Sequence, residues 1–141
     1  MTAATLLKLA LRITGFVTFC AIFFVFIPRE WMDRLHQRAG MGTLPEGPVV
    51  EYLARTISAL YTVLGGLSFL AASNLDRYAT LIRYIAWCRI GYGALILAVD
   101  RHAGMPAAWT ALEGPAILLP GIVILLLHIY HVRSRPTFQS P

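Results

Sequence analysis

The chain has 141 residues, of which 57% are hydrophobic and only 13% charged, whereas soluble domains carry about 25% charged residues. Its mean hydropathy is +0.65 and its net charge +5. These values exclude an ordinary soluble domain and leave room, within these residues, for four membrane-crossing helices and their connections. The positive charge does not indicate nucleic-acid binding: the arginines lie mostly at the ends of apolar runs and no basic tract is present. Headgroup anchoring and topology setting account for them.

The first apolar run, 13–27, holds no Asp, Glu, Lys or Arg and follows Lys8 and Arg12. That beginning mimics a signal peptide, but Phe26-Ile27-Pro28-Arg29-Glu30 lacks the small residues a cleavage site needs. A retained helix over about 5–27, stopped by Pro28, is expected. Residues 29–39 put Trp31, Met32 and Leu35 on one side, with Arg34, Gln37 and Arg38 largely on the other. This is the pattern of a short helix lying in the membrane interface, with Trp31 at headgroup level.

Residues 40–48 form a Gly/Pro-rich loop. Pro48 suits the first position of a second span over 49–72. The turn Ser73-Asn74-Leu75-Asp76 follows, with Asp76 as the expected N-cap of a third span over 77–99. Residues 100–114 read as a loop, and Pro115 is expected to open a fourth span ending near His131. Tyr78, Trp109 and Tyr130 join Trp31 as expected interface aromatics. The expected fold is all-α: a four-helix transmembrane bundle in one domain, 1–132, with a short interfacial helix between helices 1 and 2 and a polar tail over 133–141.

Short-loop charges set the expected orientation. Lys8, Arg12, Arg77, Arg83, Arg133 and Arg135 gather on one side, and Arg29, Arg34, Arg38, Arg55 and Arg101 on the other, over much longer loops. Both termini are therefore expected in the cytoplasm.

Arg89 interrupts the third run. It lies eleven residues before Asp100, about 16 Å down a helix axis, which puts it near mid-bilayer. Insertion scales charge such a position about 2.5–3.5 kcal/mol. Arg89, Gly93 and Asp100 share a helical face, with Tyr92 close by. On the second span Glu51, Arg55, Ser58 and Thr62 form another polar stripe, and Tyr61 and Thr18 lie at similar depths. If the stripes meet, they line a cleft that opens outward and ends at Arg89. Ordinary packing explains the same residues: Glu51 and Arg55 make a local i,i+4 pair, Asp100 and Arg55 tie the second and third spans together, and Ser58, Thr62 and Gly66 suit close helix contact.

No other constellation rises above its surroundings. His36 and His102 lie near several acids without metal-ligand spacing. His128 and His131 lack a matching histidine on a second helix for haem, and read as an interfacial pair. No GxSxG or CxxC is present, and Cys20 and Cys88 read as small apolar residues. No metal or cofactor is expected. Glu113 precedes Pro115 as Glu46-Gly47 precedes Pro48, which suits helix entry; a place at the cleft mouth is the other reading.

Arg55, Ala59-Leu60-Tyr61 and Gly65-Gly66, then Leu81-Ile82-Arg83, Gly104-Met105-Pro106, Trp109 and Glu113, cover about 50–115. This pattern resembles small four-helix bacterial membrane proteins of the DoxX-like group. The resemblance implies a four-span fold in a bacterial inner membrane. Some members are linked to quinone-associated sulfur oxidation, but no redox motif maps onto this chain.

Three functions remain open on sequence. The first is a non-enzymatic structural or accessory subunit, in a homo-oligomer or a larger membrane complex. The second is a small transporter or channel, with Arg89 setting anion preference. The third is a quinone- or lipid-binding subunit of a redox system, with Arg89, Tyr92 and Tyr61 as hydrogen-bond donors.

Overall fold

In the computed structural model, which describes residues 2–134, no strand occurs among those residues and six helices follow one another. Four crossings result, each long and apolar enough to span a membrane: Ala3–Phe26, Pro48–Ser73, Ala79–Ala103 and Ala107–Arg133. Only 11% to 22% of the most apolar window of each is buried within the chain. Side chains such as Phe23, Phe26, Tyr84 and Leu112 stand two-thirds or more exposed. In water that surface would drive association; hydrocarbon accommodates it. The protein is a membrane protein with a four-helix bundle.

The first crossing is α1 (Ala3–Phe19) followed by α2 (Ile22–Phe26), not one straight helix. Thr14 and Thr18 donate their hydroxyls to the carbonyls of Ala10 and Thr14, at 2.8 and 2.7 Å. Such back-bonding bends helices. The turn then tightens, with the Ala21 amide bonding the Thr18 carbonyl. Ile27 is extended, as a residue before proline must be. The amphipathic helix α3 (Arg29–Arg38) comes next, and α4 (Pro48–Ser73) starts with Pro48 in its first turn.

The turn between α4 and α5 (Ala79–Ala103) corrects the expected cap. No side chain caps the first turn of α5, whose N-cap is Tyr78; Asn74 closes the turn before it, its side-chain oxygen accepting from the amides of Asp76 and Arg77 at 3.2 and 3.0 Å. Gly104, in the left-handed region at φ 69°, ends α5.

The expected long loop over 100–114 is also corrected. It shrinks to three residues, and α6 (Ala107–Arg133) begins directly after Pro106, with Pro115 and Pro120 inside it. Residues 107–113 are mostly good helix formers, and the Trp109 indole donates to the Glu113 carboxylate one turn on. Those two turns outweigh Pro115 as a start signal, and prolines are tolerated inside membrane helices. The expected tail over 133–141, including Arg135, lies almost wholly outside the described residues.

Two close-packed helix pairs build the bundle. Gly15 of α1 meets Gly65 and Ser68 of α4, and a Cβ on Gly65 would lie 2.6 Å from the Phe19 backbone nitrogen. Across α5 and α6, Gly93 meets Leu118 and Gly114, while Gly121 abuts Ala86 and Arg89. A buried cluster of Leu7, Leu11, Ala71, Ala72, Leu75, Ile82, Ala86 and Ile124 joins the two pairs at the end nearest the described termini. Towards the opposite end α4 and α5 diverge.

Gly65→Ala should therefore lower the unfolding free energy in detergent by about 1–3 kcal/mol, the usual cost of overpacking. Gly66, which has nothing within 4 Å of an added Cβ, should tolerate alanine without loss. Denaturant titration of both variants measures the contrast.

Candidate functional site: a lateral groove lined by Arg89

The divergence of α4 and α5 leaves a groove of about 820 Å³, within the range of about 300–1,000 Å³ typical of small-molecule sites. Ile57, Leu60, Tyr61, Leu64, Leu67 and Ser68 of α4 form one wall. Leu81, Tyr84, Ile85, Cys88, Arg89 and Tyr92 of α5 form the other. Thr18 of α1 and Trp109, Leu112, Glu113, Ala116 and Ile117 of α6 complete the lining. Leu60, Tyr84 and Leu112 are each more than half exposed at positions well inside their spans, so the groove opens sideways, where acyl chains would lie.

Arg89 is the cation in this apolar lining. Its Nη2 donates to Thr18 Oγ1 at 3.1 Å. Thr18 in turn donates to the Thr14 carbonyl, which fixes its lone pairs towards the guanidinium. Among the described residues no carboxylate lies within 4 Å of Arg89. A guanidinium has five N–H donors, so one threonine leaves most of its capacity unmatched.

About one turn further along α5, Tyr92 meets Tyr61 of α4, hydroxyl to hydroxyl at 2.8 Å, with the rings edge to face. This pair bridges two helices that otherwise scarcely touch. Beyond it, Glu113 accepts from the Trp109 indole, both residues lining the groove. Thr18/Arg89, Tyr61/Tyr92 and Glu113/Trp109 thus form three polar steps, while Leu64, Leu67, Leu81 and Ile85 carry the lining on in the other direction.

The structure brings Arg89, Tyr61 and Tyr92 together and separates them from the other expected cleft residues. Glu51 and Arg55 face the first crossing. Arg29 pairs with Glu51 at 3.1 Å, and Arg55 sits 3.6 Å from the same carboxylate. Arg55 also donates to the Val25 carbonyl and, at 3.2 Å, to that of Ile27. These are end carbonyls of a helix that would otherwise lack partners. Arg29 extends the network to the carbonyls of Leu44 and Pro45. Ser58 and Thr62 bond their own helix, to the carbonyls of Ala54 and Ser58.

The expected tie between Asp100 and Arg55 is therefore replaced by the Arg29–Glu51–Arg55 network. Asp100 is 95% buried on the face of α5 that carries Gly93, and its Oδ2 has no hydrogen-bond partner among the described residues. The two facing stripes do not meet because α4 turns its polar stripe to α1 and α2, not to α5.

Trp109 lines the groove instead of standing free at the interface, whereas Trp31 and Tyr130 are exposed. Tyr78, partly buried, stacks under the Arg77 guanidinium. Of the paired histidines, His131 lies 3.6 Å from Asp76, and His128 is buried, not interfacial. No cluster of three or more His, Cys, Asp or Glu residues suited to a metal occurs among the described residues.

Glu113 lines the groove, in keeping with its alternative reading at the cleft mouth, but the rest of the α6 lining escaped sequence reading because Pro115 concealed the first turns of that helix. The i,i+4 spacing of Trp109 and Glu113 was the available clue. No family model, no curated protein and no solved structure matches the chain.

Arg55→Ala should strip the Val25 and Ile27 carbonyls of their partner and lower stability by about 1–3 kcal/mol. Faster proteolysis at the α2–α3 junction should accompany that loss, and limited proteolysis in detergent reads it directly.

Proposed function

We propose that this membrane protein binds an amphiphile in the lateral groove, holding the acidic head at Arg89 and the chain along the apolar walls. The observation that carries the reading is the guanidinium midway along an apolar span with one threonine and, among the described residues, no carboxylate beside it. A bare cation there costs about 2.5–3.5 kcal/mol, and an anionic oxygen entering the groove would restore the missing bonds. Entry from the bilayer needs no aqueous channel, because the groove is open to the side.

Such a binder works as an accessory or carrier subunit, in keeping with the absence of a catalytic motif in the sequence. The groove mouth then faces the outer leaflet of a bacterial inner membrane, following the arginine distribution that favours cytoplasmic termini. A quinone is the second reading, favoured by the Tyr61–Tyr92 hydroxyl pair as a donor to a carbonyl.

Native mass spectrometry of protein released from native membranes tests the proposal. Wild type should retain an amphiphile whose head carries an anionic oxygen, and Arg89→Leu should weaken retention by about tenfold to a hundredfold, the worth of a charge-assisted bond. The same variant should fold at least as stably, since it removes an unneutralised charge. Retention of a neutral quinone instead would favour the second reading. Equal retention by both proteins, or unfolding of Arg89→Leu, would show that Arg89 serves packing alone.

A further inference from the structure

The groove holds a second ionisable side chain, with no cation beside it among the described residues. Glu113 accepts from Trp109, and among the described residues no Lys, Arg or His lies within 4 Å of it. Arg89 abuts Gly121 of the same helix α6. Glu113 is eight residues from Gly121, which is about 12 Å along the axis towards the far end. The two side chains are therefore too far apart to neutralise each other directly, yet they line one cavity. Between them stand the rings of Tyr61 and Tyr92, with Trp109 beside the carboxylate. A carboxylate without a cation, in a groove also lined by Trp109, Tyr61 and Tyr92, is the chemistry that attracts an alkylammonium.

We infer that the bound amphiphile is a zwitterionic phospholipid, with its phosphate at Arg89 and its ammonium at Glu113 among Trp109, Tyr61 and Tyr92. This inference rests on the Arg89 reading and adds the second half of the head. Charge complementarity selects the occupant: one cation deep, one anion nearer the surface. The order matches a lipid of the leaflet on the α3 side, whose ammonium lies outward of its phosphate. The apolar lining at Leu64, Leu67, Leu81 and Ile85 takes the chains beyond the phosphate. Such a lipid is drawn below the ordinary headgroup level, and the three polar steps replace the water it leaves.

The test uses the full chain in nanodiscs of defined composition, followed by native mass spectrometry of retained lipid. Dioleoylphosphatidylethanolamine and dioleoylphosphatidylcholine are each competed against dioleoylphosphatidylglycerol. Wild type should retain a zwitterionic lipid at least tenfold over phosphatidylglycerol. Glu113→Gln, which keeps an acceptor for the indole, should bring that ratio near one. Arg89→Leu should lose both lipids.

Equal or stronger retention of phosphatidylglycerol by wild type overturns the ammonium assignment and leaves the Arg89 reading standing. Lipid retention unaffected by Arg89→Leu overturns both. Soluble phosphoethanolamine at matched concentration should not displace the lipid, and displacement would overturn a lipid occupant. Should Glu113→Gln fail to fold, the wild-type ranking decides alone.

Discussion

A guanidinium midway along a membrane-crossing helix is the constraint around which this molecule is arranged. Burying it without a counter-charge costs about 2.5–3.5 kcal/mol, and the protein supplies one hydroxyl, from Thr18. Lengthening the reach of Asp100 or Glu51 would not help. Asp100 is buried with the face of α5 that carries Gly93, and Glu51 is committed to Arg29 and Arg55. The carboxylates that might have neutralised Arg89 are held elsewhere by packing, so the charge remains available to whatever enters the groove.

The groove follows from where the small residues lie. Glycine contacts bring α1 against α4 and α5 against α6, and van der Waals packing at such close approaches is a main source of helix association in lipid. The joint cluster around Ile82, Ala86 and Ile124 binds the two pairs at the end nearest the described termini, and the Arg89–Thr18 bond joins them again midway. At the other end the pairs part, and the Tyr61–Tyr92 hydroxyl contact spans the gap. The α3 segment is tied down by a separate network, through Arg29 and Arg55, which closes the carbonyl end of the broken first crossing. The networked charges therefore lie on α3 and α4, and the guanidinium without a counter-charge on α5.

Much of this was legible in the chain. The four uncharged or nearly uncharged runs gave the crossings, Trp31, Met32 and Leu35 gave the amphipathic helix, and the depth of Arg89 singled it out. The failures share a cause: helical periodicity says which residues share a face but not which neighbour that face meets. Glu51, Arg55, Ser58 and Thr62 do form one stripe, yet the stripe turns to α1 and α2. The choice was set by Gly65, whose missing side chain draws α4 onto Phe19. Proline misled in the same local way, since Pro115 reads as a start only until Trp109 and Glu113 are seen to lock the two turns before it. Asp76 does not cap α5 because the helix starts three residues later, at Ala79, after a turn that Asn74 closes on two successive backbone amides.

The most direct measurement is an experimental structure of the full chain crystallised from a lipid mesophase, at a resolution that shows bound lipid. The account predicts elongated density between α4 and α5, with a head oxygen within hydrogen-bond distance of the Arg89 guanidinium and a chain running past Leu64 and Ile85. A groove filled by a helix of a neighbouring copy, or an Arg89 side chain reaching bulk water, would contradict it.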